Sequence, residues 1–543
     1  MGFADLLEEA GGVGVFQLIN MVLLALPFFM LASHNVIQNF SAAIPEHHCK
    51  VQLHCNYSHC VNLTVSQIQR LLIPLDNQKK LEKCLQFPAP QWDLLNMDSA
   101  YLNMTSREMV PCKDGWTYDT SEYSSTIVSE WDLVCESRSL KEIAQTVYMS
   151  GVLGGGIIFG QLSDRFGRRT VLLWSNLQMA VAGTCAAYSP LFALYCVFRF
   201  LTGMALSGII LNVFSLNIEW IPSKIRVVTC IGLGYCHTFG QLILAGYAYK
   251  IREWHRLQLI ASAPFYFFFL YTWWIPESAR WLVLNKKSKE AVKQLKRVTK
   301  LNGRPEVVKR LTPEVIEANM EKEIKESESS YRITDVLRRP GMRRITCCLL
   351  CTWFSTSFSF YGLAMDLQGF GASVYLMQVV FGVVDIPFNI ISLLLISLIG
   401  RRFTQASSLI FSGVSILANI FVPKEMQVMR ISFAVFGKGC VSGAFICAYL
   451  YTLELYPTVI RQTGLGFVST MARLGAMVAP LVKLTGDYAS FLPLLIYGTA
   501  PIITGIVVCF LPETRNTQIP DTIEEAEDRL LIVELLKPVI LGE

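Results

Sequence analysis

The stretch SDRFGRR (residues 163–169) lies between two apolar runs, and its last three residues return as Gly400-Arg401-Arg402, 233 residues later and again between apolar runs. Two further motifs repeat in step with it. Glu219-x-x-Pro222-x-x-Ile225-Arg226 recurs as Glu454-x-x-Pro457-x-x-Ile460-Arg461, and Pro276-Glu277 recurs as Pro512-Glu513. The three separations, 233, 235 and 236 residues, are nearly equal, so the chain reads as a parallel duplication.

What surrounds the motifs identifies the solvent. Of 543 residues, 52% are hydrophobic and only 16% charged, and the mean hydropathy is +0.41, too apolar for a soluble chain of this length. Twelve runs are long enough to cross about 30 Å of hydrocarbon as helix. They fall at residues 13–36, 141–163, 170–188, 190–212, 228–249, 257–275, 343–365, 372–399, 405–422, 428–452, 464–484 and 489–511. Lipid cannot satisfy open backbone groups, so each should be helical. The expected fold is an all-α membrane protein whose twelve transmembrane helices form two pseudo-symmetric six-helix bundles, residues 13–275 and 343–511. Residues 1–12 precede them, 276–342 form a loop with two charged, helix-patterned stretches, and 512–543 form a tail. Such a fold places a solute site between the bundles near the midplane, opened to each side in turn.

Orientation comes from the segment 37–140. It holds Cys49, Cys55, Cys60, Cys84, Cys112 and Cys135, and glycosylation sequons at Asn39, Asn56, Asn62 and Asn103. Disulfides and N-glycans need the oxidising side, so this segment is expected outside and both termini in the cytoplasm, with the cysteine pairing left open. Basic residues in SDRFGRR, PSKIR (222–226) and the 276–342 loop agree; those in KIREWHR (250–256) do not. The first apolar run follows no basic n-region and should be retained rather than cleaved. No phosphate-binding loop, zincin or GxSxG motif occurs, which argues against ATP-driven pumping and against an enzyme, and nothing calls for a cofactor, a metal or nucleic acid.

Within GLGFVSTMARLGAMVAPLV (464–482) the central residue, Arg473, is the only charge. A mid-bilayer arginine costs about 2.5–3.5 kcal/mol on insertion scales, so it should face the protein interior or a wet cavity. Gly466, Ser469, Thr470, Ala476, Met477 and Pro480 share its helical face, leaving room for a ligand. A guanidinium there can hold a carboxylate or sulfate bidentately. The competing use of its charge is an ion pair, with Asp385 in FGVVDIPFNI as the expected partner. Arg199 and Lys438 are the other buried cations; the first reads as structural or coupling-related, and the second is open between that and attracting substrate. The arginines and acids of the repeated motifs, Asp164, Arg165, Arg168, Arg169, Glu219, Arg226, Arg401, Glu454 and Arg461 with Gly167, suit interactions at helix ends that break and reform as the bundles rock.

The whole chain resembles the major facilitator superfamily, with GQLSDRFGRR (160–169) matching its signature loop. STIVSEWDLVC (125–135), PESARWL (276–282), ELYPTVIRQTG (454–464) and LPETRN (511–516) resemble the organic anion transporter branch of the organic ion transporters. The resemblance implies polyspecific transport of amphiphilic anions, such as carboxylates, sulfate conjugates, prostaglandins or steroid sulfates, across a plasma membrane, often in exchange for a dicarboxylate. It also implies site positions: aromatic residues Trp353, Phe360, Tyr361, Phe445, Tyr449 and Phe214, with His237, Asn35 and His34 beside them. Two positions depart from the family. Asn389 stands where the best-known anion carriers have lysine, which puts a dicarboxylate or chloride counter-anion in doubt, and His237 stands where relatives often have tyrosine. A cation or zwitterion carrier centred on Asp385, and a receptor using the cysteine-rich segment, are the alternatives. Beyond solute and membrane lipid, no partner is expected.

Overall fold

The computed structural model describes residues 7–8, 11–51, 64–76, 80–92, 108–304, 306, 311–328, 337–423, 425–457, 460–515, 517, 520, 524 and 526–527. All twelve apolar runs are helical. The first six are α1 Val15–Val36, α2 Ser139–Phe166, α3 Arg168–Ala187, α4 Phe192–Trp220, α5 Ser223–Lys250 and α6, which is interrupted between Trp254–Ser262 and Pro264–Thr272. The second six are α7 Pro340–Ala364, α8 Val374–Leu398, α9 Arg401–Phe421, α10 Gln427–Leu455, α11 Arg461–Lys483 and α12 Leu492–Val508.

Packing repeats as the sequence does. In the first six helices α1 packs on α5, α4 and α6, and α3 packs on α4 and α6; in the second six α7 packs on α11, α10 and α12, and α9 packs on α10 and α12. Helices α5 and α8 join the two sets. Residues 40–141 with 251–254 form a separate compact unit. Within it β1 (His47–Cys49) pairs antiparallel with β4 (Trp116–Tyr118), and β2 (Leu85–Gln86) with β3 (Val110–Pro111). Disulfides Cys49–Cys112 and Cys84–Cys135 close long loops across this small β framework. Cys55, Cys60, Asn56, Asn62 and Asn103 lie outside the described residues.

Each repeated motif has a structural task. Gly167 and Gly400 take left-handed backbone, φ +98° and +114°, at the turn into α3 and α9. The carboxylate of Glu277 accepts the backbone N–H of Arg168 and Arg169 at 3.0 and 3.1 Å, and that of Glu513 accepts those of Arg401 and Arg402 at 2.9 and 3.0 Å. An acid after the sixth helix of each set thus satisfies the open N-terminus of the third. Side chains lock the same turns. Arg168 meets Asp164 at 3.0 Å and Glu219 at 3.5 Å, and Arg401 meets Glu454 at 2.8 Å. The first helix of each set is capped from farther along the chain as well. Asn302, after the 288–301 loop helix, accepts the Phe16 N–H at 3.0 Å, and Glu527 in the tail accepts those of Gly341 and Met342 at 2.9 and 3.2 Å.

Replacing Glu277 or Glu513 by Gln leaves one acceptor oxygen where two serve backbone amides, at an expected cost of about 1–3 kcal/mol each. Glu277→Gln should lower the unfolding temperature of the detergent-purified protein clearly more than Asp164→Asn, because the Asp164 carboxylate is largely exposed and such pairs contribute about 0–1 kcal/mol.

Candidate functional site

Midway along α11 the Arg473 side chain lies against α2, where a Cβ on Gly156 would stand 2.8 Å from its Cζ. Only a residue without a side chain leaves this berth. Among the described residues no carboxylate lies within salt-bridge distance of Arg473, and its guanidinium makes no hydrogen bond to them. Tyr361 on α7 is near enough to couple to it electrostatically. The hydroxyls of Ser469 and Thr470, on the same face of α11, both donate to the Gly466 carbonyl, at 2.9 and 3.0 Å.

The expected Arg473–Asp385 pair does not form. Asp385 pairs instead with Lys438 on α10, which also donates to the Phe381 carbonyl at 2.8 Å. The reason is close packing of α8 and α10: a Cβ on Gly439 would come 2.6 Å from the Phe388 ring, and Gly443 abuts Ser392. Small residues flanking Lys438 bring its ammonium onto α8, and both charges are almost fully buried, 1% exposed for Lys438 and 5% for Asp385. Losing one member of such a pair costs about 3–5 kcal/mol because the other is stranded. The pattern FGKGCVSG carried this signal: a lysine among small residues must find its acid on the neighbouring helix.

One turn further along α8, Asn389 accepts a hydrogen bond from Ser442 at 3.1 Å. The aromatic residues form two groups. On α7 and α10, Trp353 lies edge-on to Phe445 and Tyr449 (centroids 6.4 and 6.5 Å), Phe360 is 5.4 Å from both Tyr361 and Phe445, and the Lys438 ammonium is 5.1 Å from the Phe360 ring. In the first six helices Phe28 stands between Phe214 (5.3 Å) and His237 (5.8 Å). The His237 ring nitrogens are 3.4 Å from the side-chain amides of Asn35 and Gln241, and Asn35 receives the Tyr148 hydroxyl at 3.5 Å. Phe214 and Tyr361 pack against one hydrophobic core that also takes in Ala476 and Met477 of α11. His34 bonds the Ala261 carbonyl, and Arg199, fully buried, lies 4.1 Å over the Tyr148 ring. Arg165 lies over Phe166 at the exposed end of α2. Arg226 and Arg461 turn back on the carbonyls of Ile221 and Tyr456, each at 3.4 Å.

Asn39 requires correction as a glycosylation candidate. Its side chain is 8% exposed, and its amide nitrogen, the atom a glycan would occupy, donates to the Ala364 carbonyl at 2.9 Å and to Gln378 at 3.2 Å. This bond ties α1's end to α7 and α8. Near it lies a cluster that sequence inspection passed over: Lys483, at the end of α11, meets Asp366 at 2.8 Å and Glu142 of α2 at 3.5 Å. These residues sit at helix ends where charge is commonplace, so nothing in the sequence set them apart.

Against known proteins, residues 96–525 match the family described as sugar (and other) transporter. The chain is 52% identical over 530 residues to solute carrier family 22 member 6-B of Xenopus laevis, covering 97% of this chain and 95% of that one. It is 52% identical over 533 residues to solute carrier family 22 member 6 of Danio rerio and 46% identical over 529 residues to organic anion transporter 3 of Rattus norvegicus, with the same two coverages in each case. Among solved structures, the inward open conformation of the xylose transporter XylE from E. coli superposes with a TM-score of 0.60 at 15% identity, covering 94% of this chain and 99% of that one. A partially occluded inward open form of XylE superposes at 0.59, with 14% identity and coverage of 91% and 97%. The identity to XylE carries the fold alone; the full-length match to the solute carriers carries more. Duplicated six-helix packing, a signature turn in each half and near-complete alignment lead to one conclusion: the chain is a multi-pass membrane transporter of the major facilitator superfamily, belonging to solute carrier family 22 in its organic anion transporter branch.

Proposed function

We propose that the protein carries small organic anions across the plasma membrane by alternating access, and that Arg473 is the anion receptor. The observation that carries this reading is a charge balance: Lys438 is paired with Asp385, and Arg199, which also lacks a carboxylate, is sealed at 0% exposure over the Tyr148 ring, whereas the partly exposed Arg473 guanidinium has no carboxylate within reach among the described residues. A cation held in a low-dielectric site without a counter-charge draws an anion, and its planar fork matches carboxylate or sulfate. Rings from α7, α10 and α4 supply faces for flat apolar bodies with little directional demand, which suits a polyspecific carrier. The names of the relatives, organic anion transporter among them, point the same way. Asn389 adds no second cation, so monoanions such as steroid sulfates or prostaglandins fit better than dicarboxylates, and exchange for α-ketoglutarate should be weak.

In this reading the bundles 13–275 and 343–511 rock about the site, the cysteine-rich segment lies outside and the termini inside. The Lys483–Asp366–Glu142 cluster and the Asn39 bonds link helices of the two halves at one membrane face. They act as the latch that opens in the other half of the cycle. The intrahelical-end networks around Arg168 and Arg401 keep each half rigid during the movement.

Uptake in cells of p-aminohippurate, a steroid sulfate, a prostaglandin and a quaternary ammonium tests the class directly. Arg473→Asp should abolish uptake of the anions, at least about 100-fold for loss of a buried charge-assisted pair, with surface abundance retained. A cation carrier would instead accept the quaternary ammonium and lose more from Asp385→Asn, and a receptor would show no flux. Asn389→Lys should raise trans-stimulation by preloaded glutarate; strong stimulation in the unaltered protein would count against the monoanion reading. Lys483→Met should favour the conformation open at the latch face. Each broken, partly exposed ion pair contributes at most about 1 kcal/mol, so thiol labelling of a cysteine placed at Ser469 should rise about five-fold from that face; unchanged labelling would remove the latch.

A further inference from the structure

The two halves repeat their charged networks closely, and one departure lies at the second arginine of the signature turn. In the first half the second arginine of the signature turn, Arg169, is occupied by protein: its guanidinium donates to the Trp273 carbonyl and lies 5.9 Å from the Trp273 ring. In the second half the matching arginine is Arg402. The residue matching Trp273, by the 236-residue offset that relates Glu277 to Glu513, is Cys509. The large ring is missing there, and a groove of about 500 Å³ opens in its place between α9 and α12. Arg402 stands at its head with the Glu513 carboxylate, which is engaged by backbone amides, beside it; Phe403, Ile410 and Phe411 line it from α9, and Cys509 lines it from α12. Among the described residues the Arg402 guanidinium has no ion pair or hydrogen bond; only its backbone N–H is used, by Glu513.

The groove is built from two helices of the second half. Phe403 and Phe411 are 59% and 56% exposed on a helix that spans the membrane, and the Cys509 side chain is exposed. What surrounds such a face is lipid. We propose that this groove is a binding site for an anionic phospholipid, with its phosphate on Arg402 and an acyl chain laid along Phe403, Ile410 and Phe411. Charge and shape both argue for that occupant. Arg402 sits at the helix end, at headgroup depth, where an arginine attracts acidic lipid and pairs a phosphate oxygen bidentately. The turn around it carries Arg401 and Arg515 against the carboxylates of Glu454 and Glu513, so three arginines face two acids, the local sign is weakly positive, and headgroups that bring their own ammonium are disfavoured. The N-terminus of α9 contributes nothing to anion binding, because Glu513 already occupies its amides. A solute anion is the poorer fit, since this face lies outside the helices that hold Arg473.

The test uses the full chain purified in nanodiscs containing a photoactivatable phosphatidylserine or, separately, the matching phosphatidylcholine, with labelled peptides located by mass spectrometry. Phosphatidylserine should label peptides around 403–411 and 503–510, about five-fold more than phosphatidylcholine, as one interfacial arginine allows. Arg402→Gln should reduce that labelling by a similar factor, and Arg402→Lys should retain most of it. Cys509→Trp should fill the groove as Trp273 fills the first half and abolish labelling there while leaving the unfolding temperature unchanged. Equal labelling by the two lipids, labelling that survives Cys509→Trp in a folded protein, or full competition by soluble glycerophosphoserine would each overturn the proposal.

Discussion

A polar group buried in hydrocarbon must find a partner within the protein, and this constraint organises the chain. Backbone amides find it in the helices. The N-terminal amides of four helices, which helical bonding leaves open, find it in side chains brought from elsewhere: Glu277 and Glu513 for α3 and α9, Asn302 and Glu527 for α1 and α7. Lysine at mid-membrane finds it in Asp385. Among the described residues Arg199 and Arg473 are left without a carboxylate; Arg199 is sealed over the Tyr148 ring, and Arg473 is partly exposed.

The duplication explains why the same solutions appear twice, and its departures are where function has room. Glycine turns, arginine–glutamate pairs and capping acids recur in both halves. The central charges do not match: the second half holds the Lys438–Asp385 pair and Arg473, which has no carboxylate among the described residues, whereas the first half holds Arg199, also without one, fully buried over a tyrosine ring. The matched turns and the unmatched charges are thus separated along the helices. Symmetry governs the ends of the helices, and asymmetry governs their middles.

Much of this was legible in the residues. Hydropathy located all twelve helices, because a span is set by length and apolarity alone, and the motif repeat gave the two sets. The Pro-Glu repeat was visible as a match, but its role was not, since a carboxylate reaching backbone amides more than 100 residues away leaves no periodic trace. Arg473 stood out as a single charge in an apolar run. Its expected partner was wrong because pairing depends on which helices touch: α8 lies against α10, so Asp385 meets Lys438. Asn39 fitted a three-residue pattern, and the pattern says nothing of burial. Only packing showed that its amide is already committed.

The cap on α1 bears on how the protein is made. The oxygen that satisfies the Phe16 amide belongs to Asn302, 286 residues later. The first helix therefore enters the membrane with its leading end unsettled and is fixed only after its whole half has been synthesised. The second half repeats the arrangement, with Gly341 waiting for Glu527 across 186 residues. Each half is closed by a segment that follows its sixth helix, so a half cut just beyond that helix would keep its own six spanning segments and leave its first helix without its final tether.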